Sequence, residues 1–299
     1  MMELVVLSGK GGTGKTTVAA AMAHLASREG RITMADADVD AANLGLVLSP
    51  RVRESHQFFG EGVAAIDPRS CTACGVCLEV CRFDALFPEG GAVRVDPIAC
   101  EGCASCFHRC PSGAIRMEER LAGHWFVSDT RFGPLVHAHL LAGQENSGKL
   151  VTRVKERARE IVRETGGDTL IVDGPPGIGC PVIAACSGAD LVLVVTEPTV
   201  AGTHDLERVL ATAEHFRLPA VVLINKHDLN PGRSGGIEGF CQSHGVPVAG
   251  RLPYDDRVTV AMTEGLTVTE RLGGTILDEM ERVWAQCKAA ASGLRQVRR

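Results

Sequence analysis

Two closely spaced runs of cysteine constrain the fold of this chain more than any other feature of its sequence. Eight of its twelve cysteines lie within residues 71–110, in two copies of the spacing Cys-x2-Cys-x2-Cys-x3-Cys. The first copy comprises Cys71, Cys74, Cys77 and Cys81, and the second comprises Cys100, Cys103, Cys106 and Cys110. An Asp-Pro pair begins four positions before each copy. This repeat predicts two small halves that are related by pseudo-symmetry.

Thiolates at this spacing are typical ligands of [4Fe-4S] clusters, because residues two and three positions apart can face one cubane. The second copy ends in Cys110-Pro111, and in this the block resembles the bacterial two-cluster ferredoxins. In that family the fourth cysteine of each run binds the other cluster. The resemblance therefore implies two crossed ligand sets, which are Cys71, Cys74, Cys77 and Cys110 for one cluster and Cys100, Cys103, Cys106 and Cys81 for the other. Arg82 replaces the proline after Cys81, which leaves the ligands intact.

Structural zinc and disulfide bonds are the alternative uses of such cysteines. Zinc favours two separated Cys-x2-Cys pairs, and disulfides are rare in chains that are not exported. Met1 leads almost directly into the apolar run 4–7, without the charged segment that opens a secretion signal. No apolar run approaches the about 20 residues of a membrane-spanning helix. The sequence therefore predicts a cytoplasmic protein, and it favours clusters over both alternatives.

The chain has 299 residues, of which 45% are hydrophobic, so it can bury the cores of about two domains. Its formal net charge of -5 provides no general attraction to nucleic acid or to anionic lipid. Neither nucleic acid nor a membrane surface is therefore expected as a partner.

Outside the cysteine block, short apolar runs alternate with stretches of helical periodicity. Strands are predicted at 4–7, 32–35, 170–172, 191–195 and 220–224, and helices near 16–29, 150–165, 203–216 and 275–291. Buried strands that alternate with helices predict an α/β fold with a doubly wound, mostly parallel sheet. Residues 67–118 interrupt this rhythm and are predicted to form an inserted, small α+β ferredoxin domain. Residues 1–66 and 119–299 would then fold together as a P-loop ATPase domain.

A phosphate-binding loop follows the first predicted strand. Its sequence, SGKGGTGKTT from Ser8 to Thr17, fits the pattern G-x4-G-K-[ST] between a strand and a helix. Lys15 is expected to reach the β- and γ-phosphates and Thr16 to bind magnesium, while backbone N–H groups surround the phosphates. The predicted nucleotide contacts in this loop are Gly9, Lys10, Gly11, Gly12, Thr13, Gly14, Lys15, Thr16 and Thr17.

The additional lysine of this loop, Lys10, makes it similar to the deviant Walker motif of the MinD-type ATPases, a family that includes the nitrogenase iron protein. The resemblance covers the chain outside the cysteine block. It implies that Lys10 reaches the nucleotide of a second protomer, so that ATP closes a homodimer or a heterodimer with a related ATPase. It also implies that Asp38, in the first switch, positions the attacking water. Asp173, before a second switch of sequence Gly-Pro-Pro-Gly, would contact magnesium.

The predicted catalytic residues are therefore Lys10, Lys15, Asp38 and Asp173, and the predicted magnesium contacts are Thr16, Asp38 and Asp173. Two further carboxylates, Asp36 and Asp40, lie near the end of the same predicted strand. For each of them a magnesium role and a cap of the strand end are equal interpretations.

Two loops are candidates for recognition of the base. Asn225-Lys226-His227-Asp228 fits the pattern by which GTPases read guanine, with the aspartate accepting from the base. Lys10 favours ATP instead, and the resemblance assigns Asn225, Pro253 and Asp255 to the adenine side. We expect ATP.

The remaining cysteines lack metal-site spacing. Cys180 follows Asp173 by seven residues, where the nitrogenase iron protein has a cluster ligand, but no cysteine lies between Cys110 and Cys180 to complete such a site. Cys180 is thus either a buried or incidental thiol or a point where switch motion meets an electron or cluster path. We interpret the others as core or surface thiols, and they are Cys186, Cys241 and Cys287. The terminal helix is expected to dock on the core rather than on a membrane.

Together these motifs predict a magnesium-dependent ATPase that couples a nucleotide-driven dimer switch to electron transfer through two [4Fe-4S] clusters, with a redox protein as partner. An ATPase that assembles iron-sulfur clusters or metallocofactors on an apoprotein is the alternative, although no Cys-x2-Cys pair follows Cys110. A MinD-like spatial regulator is the third interpretation, and the ferredoxin-like block counts against it.

Overall fold

The structure is a computed structural model that describes residues 1–142 and 147–297. It forms two compact units. The described residues of the larger unit are 1–56, 125–139 and 147–297, and those of the smaller unit are 57–124 and 140–142. The predicted insert, 67–118, lies inside the smaller unit.

The strands of the described residues are numbered in chain order. They are β1 (Met2–Ser8), β2 (Ile32–Asp36), β3 (Arg51–Phe59), β4 (Val63–Ile66), β5 (Leu86–Glu89), β6 (Ala92–Val95), β7 (Ile115–Glu118), β8 (Leu121–Thr130), β9 (Gly133–Leu140), β10 (Thr169–Pro176), β11 (Leu191–Thr196), β12 (Ala220–Asn225) and β13 (Val248–Leu252).

The helices are numbered in the same way. They are α1 (Lys15–Ser27), α2 (Leu44–Leu48), α3 (Val76–Val80), α4 (Ser105–Arg109), α5 (Ser147–Thr165), α6 (Cys180–Cys186), α7 (Val200–His215), α8 (Pro231–Ser243), α9 (Arg257–Thr263), α10 (Val268–Arg271) and α11 (Thr275–Val297).

A nine-stranded sheet in the order β13-β12-β11-β1-β10-β2-β9-β8-β3 organises the larger unit. The strands from β13 to β9 are parallel to their neighbours. Only two residues join β8 to β9, so these strands form an antiparallel hairpin. The mostly parallel α/β sheet predicted from the sequence is therefore confirmed, and all five predicted strands belong to it.

The core of the larger unit lies on both faces of this sheet. Strand β1 is buried along its whole length, as expected for a parallel strand covered by helices on both sides. Leu4 and Val6 share one cluster of buried residues with α1 and with α11. The apolar side chains of α11 that enter this cluster are Ile276, Met280, Val283, Trp284 and Cys287. This confirms that the terminal helix docks on the core.

Apart from the ends of β3, β8 and β9, the smaller unit contains only short elements. Two antiparallel pairs, β4 with β7 and β5 with β6, accompany the five-residue helices α3 and α4. Its cluster of buried residues consists of Ala64, Cys77, Val93, Cys106 and Ile115. Thiols thus form part of its small core.

Of the helices within residues 1–142 and 147–297, none combines the length and the apolar composition that a membrane span requires.

Candidate functional site

The phosphate-binding loop connects β1 to α1. At two of its positions only glycine fits, because a side chain there would collide with a neighbouring residue. A Cβ atom on Gly9 would lie 2.1 Å from the Asp205 Cβ of α7, and one on Gly14, at a φ of 91°, would lie 2.4 Å from Asn225 Nδ2. Asn225 in turn donates from Nδ2 to the Thr13 carbonyl oxygen at 2.7 Å. The loop is therefore held from α7 and from the end of β12.

Lys15 lies between the two switch carboxylates that the sequence predicts. Its Nζ is 2.7 Å from Asp173 Oδ1 and 3.4 Å from Asp38 Oδ2. Burial lowers the pKa of Lys15, but the carboxylates of Asp173 and Asp38 outweigh it and raise this pKa above its ordinary value. The structure thus brings three of the four predicted catalytic residues together around one ammonium group.

Asp36 was an open question between a magnesium role and a strand-end cap. Its carboxylate is fully buried and accepts from the N–H groups of Asp38 at 3.2 Å and Leu44 at 3.0 Å. Asp36 pairs in register with Asp173 on the neighbouring parallel strand. Burial, and then the Asp173 charge, raise the pKa of Asp36 to about 8. Asp36 therefore holds the loop that carries Asp38, whereas Asp40 is exposed.

Two buried polar atoms at the site lack hydrogen-bond partners among the described residues, namely Asp173 Oδ2 and Thr13 Oγ1. Such atoms almost always have a partner in folded proteins. Cβ atoms placed on Gly11 and Gly12 would meet no atom within 4 Å, so the loop opens onto free space. Phosphate oxygens beside the loop and magnesium beside Asp173 fit these residues, and Thr16, half-buried in the first turn of α1, is placed to assist.

The two candidate base loops are joined to each other. The N–H of Tyr254 donates to Asp228 Oδ1 at 2.7 Å, which ties the loop after β13 to the loop after β12. Asp255, which like Pro253 is a predicted base contact, forms an ion pair with Arg257 at 2.6 Å. One Asp228 oxygen is thereby bonded within the chain. The choice of ATP over GTP stays a prediction.

Sequence reasoning missed Glu197, which follows β11. Its carboxylate lies 2.6 Å from Lys10 Nζ and 3.3 Å from Lys226 Nζ. Burial raises the pKa of Glu197, but these two ammonium groups lower it below its ordinary value. The available signal was positional, because an acidic residue just after a parallel strand faces the edge of the sheet where ligands bind.

In the smaller unit, the two cysteine runs have the same backbone conformation at three equivalent positions. Positive φ angles occur at Ala73 and Gly102 (54° and 67°), at Gly75 and Ala104 (80° and 57°), and at Asp84 and Gly113 (51° and 62°). Left-handed residues other than glycine are uncommon and store strain, so the surrounding structure must require them. Left-handed turns also direct successive backbone N–H groups to one concave side, as in many Fe–S sites.

Strand pairing places the beginning of each cysteine run beside the end of the other. The first run begins after β4, which pairs with β7, and the Asp67 N–H donates to the Ala114 carbonyl just after the second run. The second run begins after β6, which pairs with β5, and the Asp96 N–H donates to the Ala85 carbonyl just after the first run. The last cysteine of each run is therefore carried towards the first three of the other.

Two cavities in the smaller unit have four cysteines each in their walls. One is lined by Cys71, Cys74, Cys77 and Cys110. The other is lined by Cys81, Cys100, Cys103 and Cys106. These are the same groupings as the two crossed ligand sets. Apolar side chains complete both walls, including Ile66, Val93, Leu86 and Met117.

The thiols of the two cavities are not equivalent in their surroundings. Burial raises the pKa of both Cys77 and Cys106, which occupy the same place in each run. Cys103 Sγ lies 3.5 Å from Ser105 Oγ, a hydrogen bond that lowers the pKa of the Cys103 thiol. All twelve cysteines are free thiols. In the described part of the chain, no three His, Cys, Asp or Glu side chains are already arranged to hold a metal ion.

The other cysteines fall into two groups. Of the two predicted places, core or surface, Cys186, Cys241 and Cys287 lie in the core. Burial raises the pKa of Cys186 and Cys241 to about 11 and that of Cys287 to about 12. Cys180 is exposed where α6 begins, and a Cβ atom on Gly148 would lie 3.5 Å from its Cβ. Cys180 is thus no core residue.

Comparison with known proteins agrees with the nucleotide site. Residues 4–268 match the profile of the family described as the CobQ/CobB/MinD/ParA nucleotide binding domain. An uncharacterized protein of Methanocaldococcus jannaschii is 34% identical over 230 residues, which are 77% of this chain and 80% of that protein. The septum site-determining protein MinD of Bacillus subtilis is 25% identical over 271 residues, covering 88% of this chain and 80% of that protein.

Solved structures share the fold at lower identity. A MinC:MinD cell division protein complex of Aquifex aeolicus matches with a TM-score of 0.59 at 16% identity, covering 97% of this chain and 96% of that one. The septum site-determining protein MinD of Pyrococcus horikoshii, solved with Mg-ADP, matches with a TM-score of 0.56 at 17% identity, covering 95% of both chains. The chain therefore belongs to the CobQ/CobB/MinD/ParA family of nucleotide-binding domains and has the α/β P-loop fold of the MinD-type ATPases.

Proposed function

We propose that this protein is a magnesium-dependent ATPase whose nucleotide-driven dimer switch is coupled to electron transfer through two [4Fe-4S] clusters in the smaller unit. The observation that carries the proposal is the pair of cavities, each lined by four cysteines in the crossed combination. Four thiolates per cavity are the donor set of one [4Fe-4S] cluster. The proposed domains are the insert at 67–118 and the ATPase parts at 1–66 and 119–299.

The surroundings of the cavities also suit such clusters. Bound clusters would supply one-electron redox chemistry. The left-handed turns at Ala73 and Ala104 aim backbone N–H groups at one side, and apolar walls limit the access of water, which tunes the reduction potential. The side chains would have to move inward on binding, because no metal-ready group of three ligands is present among the described residues.

Lys15 provides the means by which nucleotide alters the switches. In the structure Lys15 binds both switch carboxylates, those of Asp173 and Asp38. Phosphate groups beside the loop would compete for this ammonium group and free the two carboxylates, Asp173 towards magnesium and Asp38 towards the attacking water. Because the contacts of both switches then differ between the two states, binding energy drives a conformational change.

A strand leads from the first switch to the smaller unit. Strand β9 pairs with β2 as far as the Asp36–His137 register, beside the loop that carries Asp38. Strand β9 forms a hairpin with β8, and along β8 the chain passes from the smaller unit, at His124, into the larger unit, at Trp125. A shift of the switch loop therefore has a route through the β8–β9 hairpin to the chain that carries the cysteine block. The proposed partner is a redox protein that accepts or supplies electrons there.

Iron analysis of single-cysteine variants tests the clusters. After anaerobic reconstitution we expect about eight iron and eight sulfide per chain, and a reduced-state EPR signal of [4Fe-4S] type. Cys71→Ser should lose about half of the iron, whereas Cys180→Ser, which removes an exposed thiol outside both cavities, should retain all of it. Full iron content in Cys71→Ser would contradict the ligand assignment.

Hydrolysis rates test the coupling. We expect the steady-state ATPase rate to differ between oxidised and reduced clusters, with Asp38→Asn as the control that identifies the activity as the protein's own. Equal rates would contradict gating within this chain. They would favour the assembly alternative, for which transfer of iron to an apoprotein is the readout.

The similarity to septum site-determining MinD proteins supports a second candidate, a spatial regulator. Its membrane version would require a lipid-binding surface, but the apolar residues of the terminal helix α11 are occupied by the core. Co-sedimentation with anionic vesicles, measured with and without ATP, distinguishes the membrane-binding regulator from the electron-transfer function. Binding that depends on ATP would favour the regulator.

A further inference from the structure

The Glu197 carboxylate pairs with two lysines of the nucleotide site that lie far apart in the sequence. Lys10 Nζ lies 2.6 Å from one Glu197 oxygen, and Lys226 Nζ lies 3.3 Å from the other. Lys226 also donates to the Gly12 carbonyl oxygen at 3.3 Å. One carboxylate thus pairs simultaneously with a cation of the phosphate-binding loop and with a cation of the loop after β12.

The backbone of Lys10 is fixed by a hydrogen bond, whereas its side chain can rotate. Ser8 Oγ donates to the Lys10 carbonyl oxygen at 2.8 Å, which fixes the backbone there. The Lys10 side chain is 35% exposed, whereas that of Lys15 is 7% exposed. Its ammonium group therefore reaches solvent at the loop, and within the chain Glu197 holds it.

We propose that Glu197 is a latch that keeps Lys10 on its own protomer, and that release of this ion pair accompanies ATP-driven dimerisation. The inference rests on the dimer switch of the proposed function and adds the regulation of that site. In the dimer Lys10 would exchange one carboxylate for the phosphates of the partner's nucleotide, which carry more negative charge.

Lys226 lowers the free-energy cost of releasing Lys10 from Glu197. An acidic group that loses its only partner while partly buried is strongly destabilised. Glu197, with 13% of its side chain exposed, retains Lys226 when Lys10 leaves, so its charge remains paired. The two-lysine arrangement therefore suits a contact that must form and break, whereas a single pair would suit a permanent one.

The test measures the ATP-dependent dimer by sedimentation velocity, in an Asp38→Asn background that preserves bound ATP. Glu197→Gln should lower the dimer dissociation constant about tenfold, since two partly exposed latches are lost per dimer. Lys226→Met should raise this constant, because releasing Lys10 would then leave Glu197 unpaired. Glu207→Gln on α7, an exposed position, is the matched control and should change nothing.

A double-mutant cycle assigns the effect to Lys10. Lys10→Ala should abolish the ATP-dependent dimer, and adding Glu197→Gln to it should not restore the dimer. If Lys10→Ala abolishes the dimer while Glu197→Gln behaves like the parent protein, the latch is wrong and the dimer switch survives. If Lys10→Ala leaves the dimer intact, the proposed role of Lys10 in the switch fails as well.

Nucleotide titration excludes a purely structural role. Binding of a fluorescent ATP analogue is measured on the same variants at protein concentrations too low for them to dimerise. We expect Glu197→Gln to bind it within about twofold of the parent protein. Weaker binding without a gain in dimer would show that Glu197 merely shapes the loop, and would overturn the latch.

Discussion

The two units of this protein are stabilised in different ways. In the larger unit, β1 and its neighbours are buried along their length, and helices such as α1 and α11 close a continuous apolar core. In the smaller unit the helices have five residues, and two of the five members of the buried cluster are thiols. So small a core provides little hydrophobic stabilisation. The comparison teaches that apolar burial stabilises the larger unit, whereas the smaller unit would depend for its stability on the clusters proposed for its cysteines.

Removal of iron should produce the largest difference between the units. A chelator with a reductant should reduce hydrogen-exchange protection of the amides in β4, β5, β6 and β7 by roughly two orders of magnitude or more, because short elements lose their metal crosslinks. Amides of β1 and β10 should keep their protection. Retained protection in the smaller unit would show that its apolar cluster suffices.

Loss of the loop lysine should impair ATP hydrolysis without removing the iron proposed for the smaller unit. Lys15→Ala is expected to lower the ATPase rate about 100-fold or more, because it removes a cation that faces the phosphates. Iron content should stay unchanged. Lys15→Arg is the matched control that preserves the charge beside Asp173 and Asp38. Loss of iron in Lys15→Ala would mean that the units are not independent.

Truncation in the apolar core sharpens the same comparison. Leu4→Ala, at a position with no solvent exposure, should lower the free energy of unfolding of the larger unit by about 3 kcal/mol through lost burial and a cavity. Denaturant titration followed by tryptophan fluorescence measures this change, since Trp284 lies in that core. The visible absorbance of the proposed clusters should fall at a different denaturant concentration from the tryptophan fluorescence. If both signals change at the same denaturant concentration, the two units are not stabilised separately.

The smallest effect concerns the left-handed turns of the cysteine runs. Ala104→Gly should stabilise the smaller unit by about 0.5–1 kcal/mol, because it relieves a positive φ of 57°. Gly75→Ala, at the equivalent position of the first run, should destabilise it by a similar amount, since a Cβ there meets no atom and only strain acts. Rates of iron release to a chelator provide the measurement. Equal rates in both variants would contradict the pseudo-symmetry.

Much of the fold was predictable because its signals are local. Five apolar strands and four of the described helices, α1, α5, α7 and α11, can be predicted from short windows of sequence, since each buries its own side chains. Helix α8, which is as long as α1, was missed. Strand β3 was not visible. Its sequence RVRESHQFF is mostly exposed and has no apolar alternation, so its pairing with β8 rather than its own pattern makes it a strand.

The sequence by itself determined which groups are proposed to do the chemistry, namely the loop with Lys10 and Lys15 and the two cysteine runs. These depend on residues a few positions apart, so spacing alone specifies them. Only the tertiary structure decided how distant groups meet. It brings Glu197 to Lys10 and Lys226, directs Asp36 to the switch loop, and pairs β4 with β7 so that the cysteine runs exchange ends. Contacts between residues far apart in the chain arise from the packing of the whole sheet, which no short motif encodes.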